Sequence, residues 1–194
     1  MSSTVSSTTT ERPLRADARR NRARVMEAAR EAFAECGTDL TMEELARRAQ
    51  VGVGTVYRHF PTKETLLDAL LADQLAMLVE TTRAALAEDD PWEAFRGLVR
   101  NGAEMQAQDM SFCEVVMARK AESGSETVIA LRTELDAEMR KLLERAKAAG
   151  RMRPDFEADD VGTLFASIAG AIRASGDGDA WRRQVEFALD GLRA

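Results

Sequence analysis

Apolar positions along the chain recur at intervals of three and four almost from end to end, the period of α-helices that bury one face. Val25, Ala29, Ala32 and Phe33 mark a first helix over residues 15–36, stopped at Gly37. Met42, Leu45, Ala46 and Ala49 mark a short second one, and Val53, Val56, Tyr57 and Phe60 a short third, ended by Pro61. Leu67, Leu70, Leu71, Leu75 and Leu78 carry a fourth over residues 62–87, broken by Glu88-Asp89-Asp90-Pro91. Further helices are predicted over residues 91–108, 112–122 and 126–149, the last closed by Gly150. Two final stripes flank a turn at Gly176-Asp177-Gly178: Val161, Leu164, Phe165, Ile168, Ala169 and Ile172, then Trp181, Val185, Ala188, Leu189 and Leu192. No alternating run argues for a strand and no segment repeats, so the expectation is an all-α fold of about nine helices.

The second and third stripes lie unusually close together. Thr41 precedes the second, and Glu44 follows three residues later, the spacing of a reciprocal capping box. Gly52 stands where the chain must turn, a position suited to a residue without Cβ. Two short helices joined so tightly form a helix-turn-helix, whose second helix enters the DNA major groove. The last two stripes read either as ordinary core or as a helical pair that docks on a twofold mate. A head that reads a palindrome needs a symmetric partner, so Val161, Leu164, Phe165, Ile168, Ile172, Trp181, Val185 and Leu189 are assigned to dimerisation.

Charge sharpens this picture. The 194 residues carry a net charge of −6, which looks wrong for a DNA binder. Residues 1–63, however, hold 11 Arg and Lys against 8 Asp and Glu, a net of +3, and the remainder carries −9. Arg12, Arg15, Arg19, Arg20, Arg22 and Arg24 crowd one interval with Asp17 as the only acid, an arm that can follow a phosphate backbone. An arginine-rich helix start is also a common solvated surface, and the adjoining helix-turn-helix favours the DNA reading. Apolar content of 45% and charged content of 31% suit a globular chain. No apolar run reaches bilayer length, and the Ser/Thr-rich start lacks a signal-peptide core, so residues 1–14 are expected to be a disordered tail. Cys36 and Cys113 lack metal-ligand spacing and fit a cytoplasmic protein. Gly52-x-Gly54 neither follows a strand nor carries the Lys-Ser pair of a phosphate loop. No acid–base pair or metal cluster supports an enzyme, and no cofactor is expected. A helical interaction module without a DNA role is the alternative.

Residues 22–71 resemble the N-terminal domain of the TetR family of transcriptional regulators. The resemblance rests on Ala29-x-x-x-Phe33-x-x-x-Gly37, Thr41, Leu45-Ala46, Ala49, Val51-Gly52-Val53, Tyr57-x-x-Phe60, Lys63 and Leu66-Leu67. Residues 151–170 are similar, less specifically, to the start of that family's first dimerisation helix. The resemblance implies a homodimeric repressor that binds a palindromic double-stranded DNA operator and is released by a small, hydrophobic effector. It implies a helix-turn-helix domain over residues 15–62 and a helical effector-binding and dimerisation domain over 63–194, with the fourth helix as lever.

Residue roles follow from that placement. Thr55, Tyr57, Arg58 and His59 lie on or beside the outer face of the third helix, with Arg58 suited to a guanine edge and Thr55 to a thymine methyl or a phosphate. The alternative for Tyr57 is inward packing with its hydroxyl tipped toward a phosphate. Val53 and Gly54 permit close backbone approach. Thr41 and Lys63, at helix starts, are assigned to phosphates, and Arg19, Arg20 and Arg22 to the backbone or the adjacent minor groove. Phe95, Met105, Phe112, Cys113, Met117 and Met139 are the candidate effector contacts, although methionine is also ordinary core filler. Glu104, Glu114 or Glu122, if turned inward, suits a cationic effector.

Overall fold

The computed structural model describes residues 11–176 and 178–194. Residues 1–10 of the expected tail, and Asp177 of the expected turn, lie outside the described residues. Among these, nine α-helices follow one another: α1 (Glu11–Cys36), α2 (Met42–Arg48), α3 (Val53–His59), α4 (Lys63–Leu86), α5 (Pro91–Gln108), α6 (Met110–Glu122), α7 (Glu126–Ala148), α8 (Ala158–Ser175) and α9 (Ala180–Leu192). The first helix thus begins at Glu11, ahead of the expected residue 15, and α6 begins at Met110 because Asp109 ends α5 and starts α6 with no intervening loop. No helix among the described residues is long and apolar enough to cross a membrane.

The chain divides into two compact units, one ending at Leu70 and the other starting at Leu71. In the first, α1, α2 and α3 pack around Val25, Ala29, Phe33, Leu45, Val56 and Phe60, all nearly inaccessible to water. At about 25 cal/mol per Å², burial of this kind holds a small three-helix unit together. In the second, α5 is central and packs against α6, α7, α8 and α9, while α8 and α9 pack along each other. Trp92, Phe95, Leu142, Leu143, Met152, Trp181 and Leu189 fill its core. The Phe95 ring meets Phe156 edge-on at 5.9 Å and Trp92 at 6.2 Å.

Local chemistry explains the helix ends. Asp90 caps α5, its carboxylate accepting from the Trp92 and Glu93 amides at 2.9 and 3.2 Å, and Pro91 takes the first turn where its missing N–H costs nothing. Those amides hold the Asp90 carboxyl below its usual range. Glu157 and Asp160 form a full capping box at α8. Gly150, at φ +64°, closes α7: its amide donates to Lys147 O and the following Arg151 amide to Ala146 O. Arg145 reaches from α7 to the Leu86 and Glu88 carbonyls at 2.5 and 2.9 Å, covering the end of α4.

Candidate nucleic-acid interface

The helix-turn-helix begins at Thr41, whose hydroxyl accepts from the Glu44 amide at 3.2 Å. Of the expected capping box only this half is in place. The Glu44 carboxylate instead meets Arg47 at 2.6 and 2.9 Å and Arg48 at 2.9 Å, and these bonds hold its pKa at about 2. The turn corrects a second expectation. Gly52 is extended, at φ −67° and ψ 143°, and the left-handed residue is Gln50, at φ 53°. The Gln50 amide donates to Arg47 O and the Val51 amide to Ala46 O, at 3.2 and 3.0 Å, so the glutamine ends α2 in a motif that usually employs glycine. Arg24 of α1, expected as part of the basic arm, bonds the Gln50 carbonyl at 3.2 Å and pins this turn.

The side chains of α3 sort onto two faces. Val56 is fully buried and Phe60 nearly so, whereas Val53 and Tyr57 are 39% and 42% exposed. Both had been placed on the inward stripe with Val56 and Phe60. At about 100° per residue, Val53 and Tyr57 lie 60° and 100° from Val56, beyond the rim of a short helix that buries one residue. Tyr57 therefore does not pack inward. Its hydroxyl donates to Glu43 of α2 at 3.2 Å, and desolvation together with the Glu43 carboxylate raises its pKa. Gly54 and Arg58 are exposed beside them, Thr55 and His59 half-buried, and the His59 ring lies 6.3 Å from Phe60. Thr41 is exposed at the start of α2.

The basic residues differ in freedom. Arg19 is exposed, Arg20 pairs with Asp17 along α1, and the Arg22 guanidinium lies 5.3 Å from the centre of the Phe60 ring. Lys63 is half-buried, donates to Leu40 O at 2.8 Å and stands 5.7 Å from the Phe33 ring centre. These bonds tie the start of α4 to the α1–α2 connection.

The second unit rearranges two expectations. Val161, Ile168, Ile172, Trp181, Val185 and Leu189, assigned to a dimer face, belong to the protomer's own core, with Leu164 and Phe165 packed against it. The outer side of α8 presents Gly162, Thr163, Ala166 and Ser167, and that of α9 presents Phe187, 57% exposed. Among the candidate effector contacts, Phe95, Phe112 and Met139 are buried, and Met105, Cys113 and Met117 half-buried. None of the six lines the open groove of about 320 Å³ bordered by Glu104, Ala107, Ile172, Trp181 and Arg182. Glu104 is paired with Arg182 at 2.7 and 2.8 Å, Glu114 is paired with Arg173, and Glu122 is exposed beside Arg119. No inward glutamate is left among them for a cation.

Comparison with known proteins matches this division. Residues 25–70 fit the profile of the bacterial regulatory proteins of the tetR family, and residues 90–194 fit the C-terminal domain of SbtR-like transcriptional regulators. The crystal structure of a TetR transcription regulatory protein from Mycobacterium vanbaalenii is 36% identical, with a TM-score of 0.63, over 94% of this chain and all 100% of that one. The HTH-type transcriptional regulator TtgW of Pseudomonas putida is 38% identical over 80 residues, and the HTH-type transcriptional repressor KstR of Mycolicibacterium smegmatis 35% over 83. These matches take in 41% and 42% of this chain, and 60% and 41% of those two proteins. With residues 25–70 and residues 90–194, the latter more than half of its length, both matched to the family, the chain belongs to the TetR family of transcriptional regulators.

Proposed function

We propose that the protein is a ligand-responsive repressor that binds a palindromic operator as a homodimer and is released by a small hydrophobic effector. The observation that carries the DNA half is the outward face of α3. Val53, Gly54, Tyr57 and Arg58 are exposed together on a helix whose other side is anchored by Val56. Arg58 reads a base edge with two donors, Val53 and Thr55 meet thymine methyl or sugar, and Tyr57 exchanges Glu43 for a phosphate oxygen. Thr41 and the arginines of α1 hold the flanking backbone. Lys63 acts mainly by fixing the start of α4.

Repression is supported by the similarity to KstR, a transcriptional repressor. Two copies meet through the outer faces of α8 and α9, around Phe187, Gly162 and Ala166, while the buried stripes keep each protomer folded. The effector acts on the second unit, and α4, continuous from Lys63 to Leu86, transmits its effect. A gel-shift series on genomic fragments tests the reading. A repressor of this kind retains specific fragments, and its affinity falls steeply with salt, with a slope of about −0.9 per neutralised phosphate. Absence of any shift at low salt contradicts it.

A further inference from the structure

The inward face of α5 is apolar for most of its length. Phe95, Val99 and Ala103 on it are buried. Gly102 meets the Phe165 ring of α8 so closely that a Cβ there stands 2.7 Å from a ring carbon. Gln106 continues this stripe, three residues after Ala103 and four after Gly102, where the pattern calls for another apolar side chain. Its Oε1 is buried and has no hydrogen-bond partner among the described residues. An acceptor held away from water without a donor is costly to keep.

The surroundings also disfavour charge. Burial pushes the Asp109 carboxyl, one turn further on, above its usual range, and pushes the Cys113 thiol up to about 11. An uncharged donor on an apolar body suits this face, one turn from the Phe165 ring at Gly102.

We infer that Gln106 is the polar contact of the effector site, and that the effector is a neutral, largely apolar molecule whose hydroxyl donates to Gln106 Oε1. The inference rests on the ligand-responsive reading above and specifies its chemistry. Calorimetric titration of the full chain and of Gln106→Met with 1-naphthol, 1-methoxynaphthalene and 1-naphthylmethylammonium tests it, alongside melting of both unliganded proteins. The wild type is expected to bind the naphthol roughly tenfold tighter than its methyl ether, and the variant to bind the two alike. The unliganded variant melts no lower than the wild type, since the orphaned acceptor is gone. Equal binding of naphthol and ether by the wild type, a preference that survives in the variant, or tighter binding of the ammonium ion overturns the inference. So does a variant that melts clearly lower, because Gln106 then had a partner all along. The gel shift above needs no effector, so failure of the DNA-binding reading appears in a separate measurement.

Discussion

Single residues decide how the reading head is aimed, and several of them were concealed by sequence. Glycine at position 52 drew the turn to itself, yet the left-handed residue is Gln50, because α2 runs to Arg48 and its closing bonds fall two residues later. Backbone geometry of that kind depends on where the preceding helix ends, which apolar spacing fixes only loosely. Gln50→Gly is expected to stabilise the protein by roughly 0.5 kcal/mol in denaturant titration, the relief of the left-handed strain less the entropy of glycine. Gln50→Val, β-branched at the same angle, is expected to destabilise it. The exposure of Arg58 was legible, since it sits in a short helix ahead of Pro61, and the proposed base contact rests on it. Arg58→Ala is expected to cost about 1–3 kcal/mol on the preferred sequence and little on random DNA. An equal loss on both marks a phosphate contact instead. Glu44 makes a pH prediction. Its carboxyl is depressed from the usual 4.5 to about 2 by Arg47 and Arg48, so its pairing favours the folded state above that usual value and is lost as pH falls from about 4.5 to 2. Its carboxyl carbon, followed by NMR, is expected to titrate near the lower figure, and a midpoint near 4.5 shows the pairing absent in solution.

Helices were the most legible scale. Apolar periodicity and the punctuation by Pro91, Gly37 and Gly150 placed the nine α-helices among the described residues, and α5 matched to the residue, but the 3-10 turn at Gly37–Asp39 was not foreseen. What periodicity does not reveal is which neighbour covers a stripe. The Val161–Ile172 and Trp181–Leu189 stripes suit a partner chain and a protomer core equally well, and here α5 and α7 cover them. The same ambiguity put Val53 and Tyr57 inward, because a seven-residue helix is too short for its pattern to locate the centre of its buried face. The crossing of α5 and α8 at Gly102 offers a test at this scale. Gly102→Ala is expected to destabilise the protein by about 1–2 kcal/mol through its clash with Phe165, and Phe165→Leu to recover part of that loss in the double variant. Additive losses show that the two helices do not meet there.

At the scale of the whole molecule, charge and symmetry carry the account. The basic excess of residues 1–63 and the acidic remainder direct one end of the chain toward DNA. In the proposed dimer, symmetry comes from the outer faces of α8 and α9. Phe187→Glu is expected to give a folded monomer in sedimentation, with helical signal intact, whereas Val185→Glu unfolds the core it enters. A dimer that survives Phe187→Glu places the interface elsewhere. The central claim, a twofold head reading DNA through α3, is tested most directly by sequencing the genomic fragments that the purified protein retains. The account predicts an inverted repeat whose half-sites lie about one helical turn, or a multiple of it, apart. Recovery of fragments with no shared sequence, or of a single unpaired half-site, contradicts it.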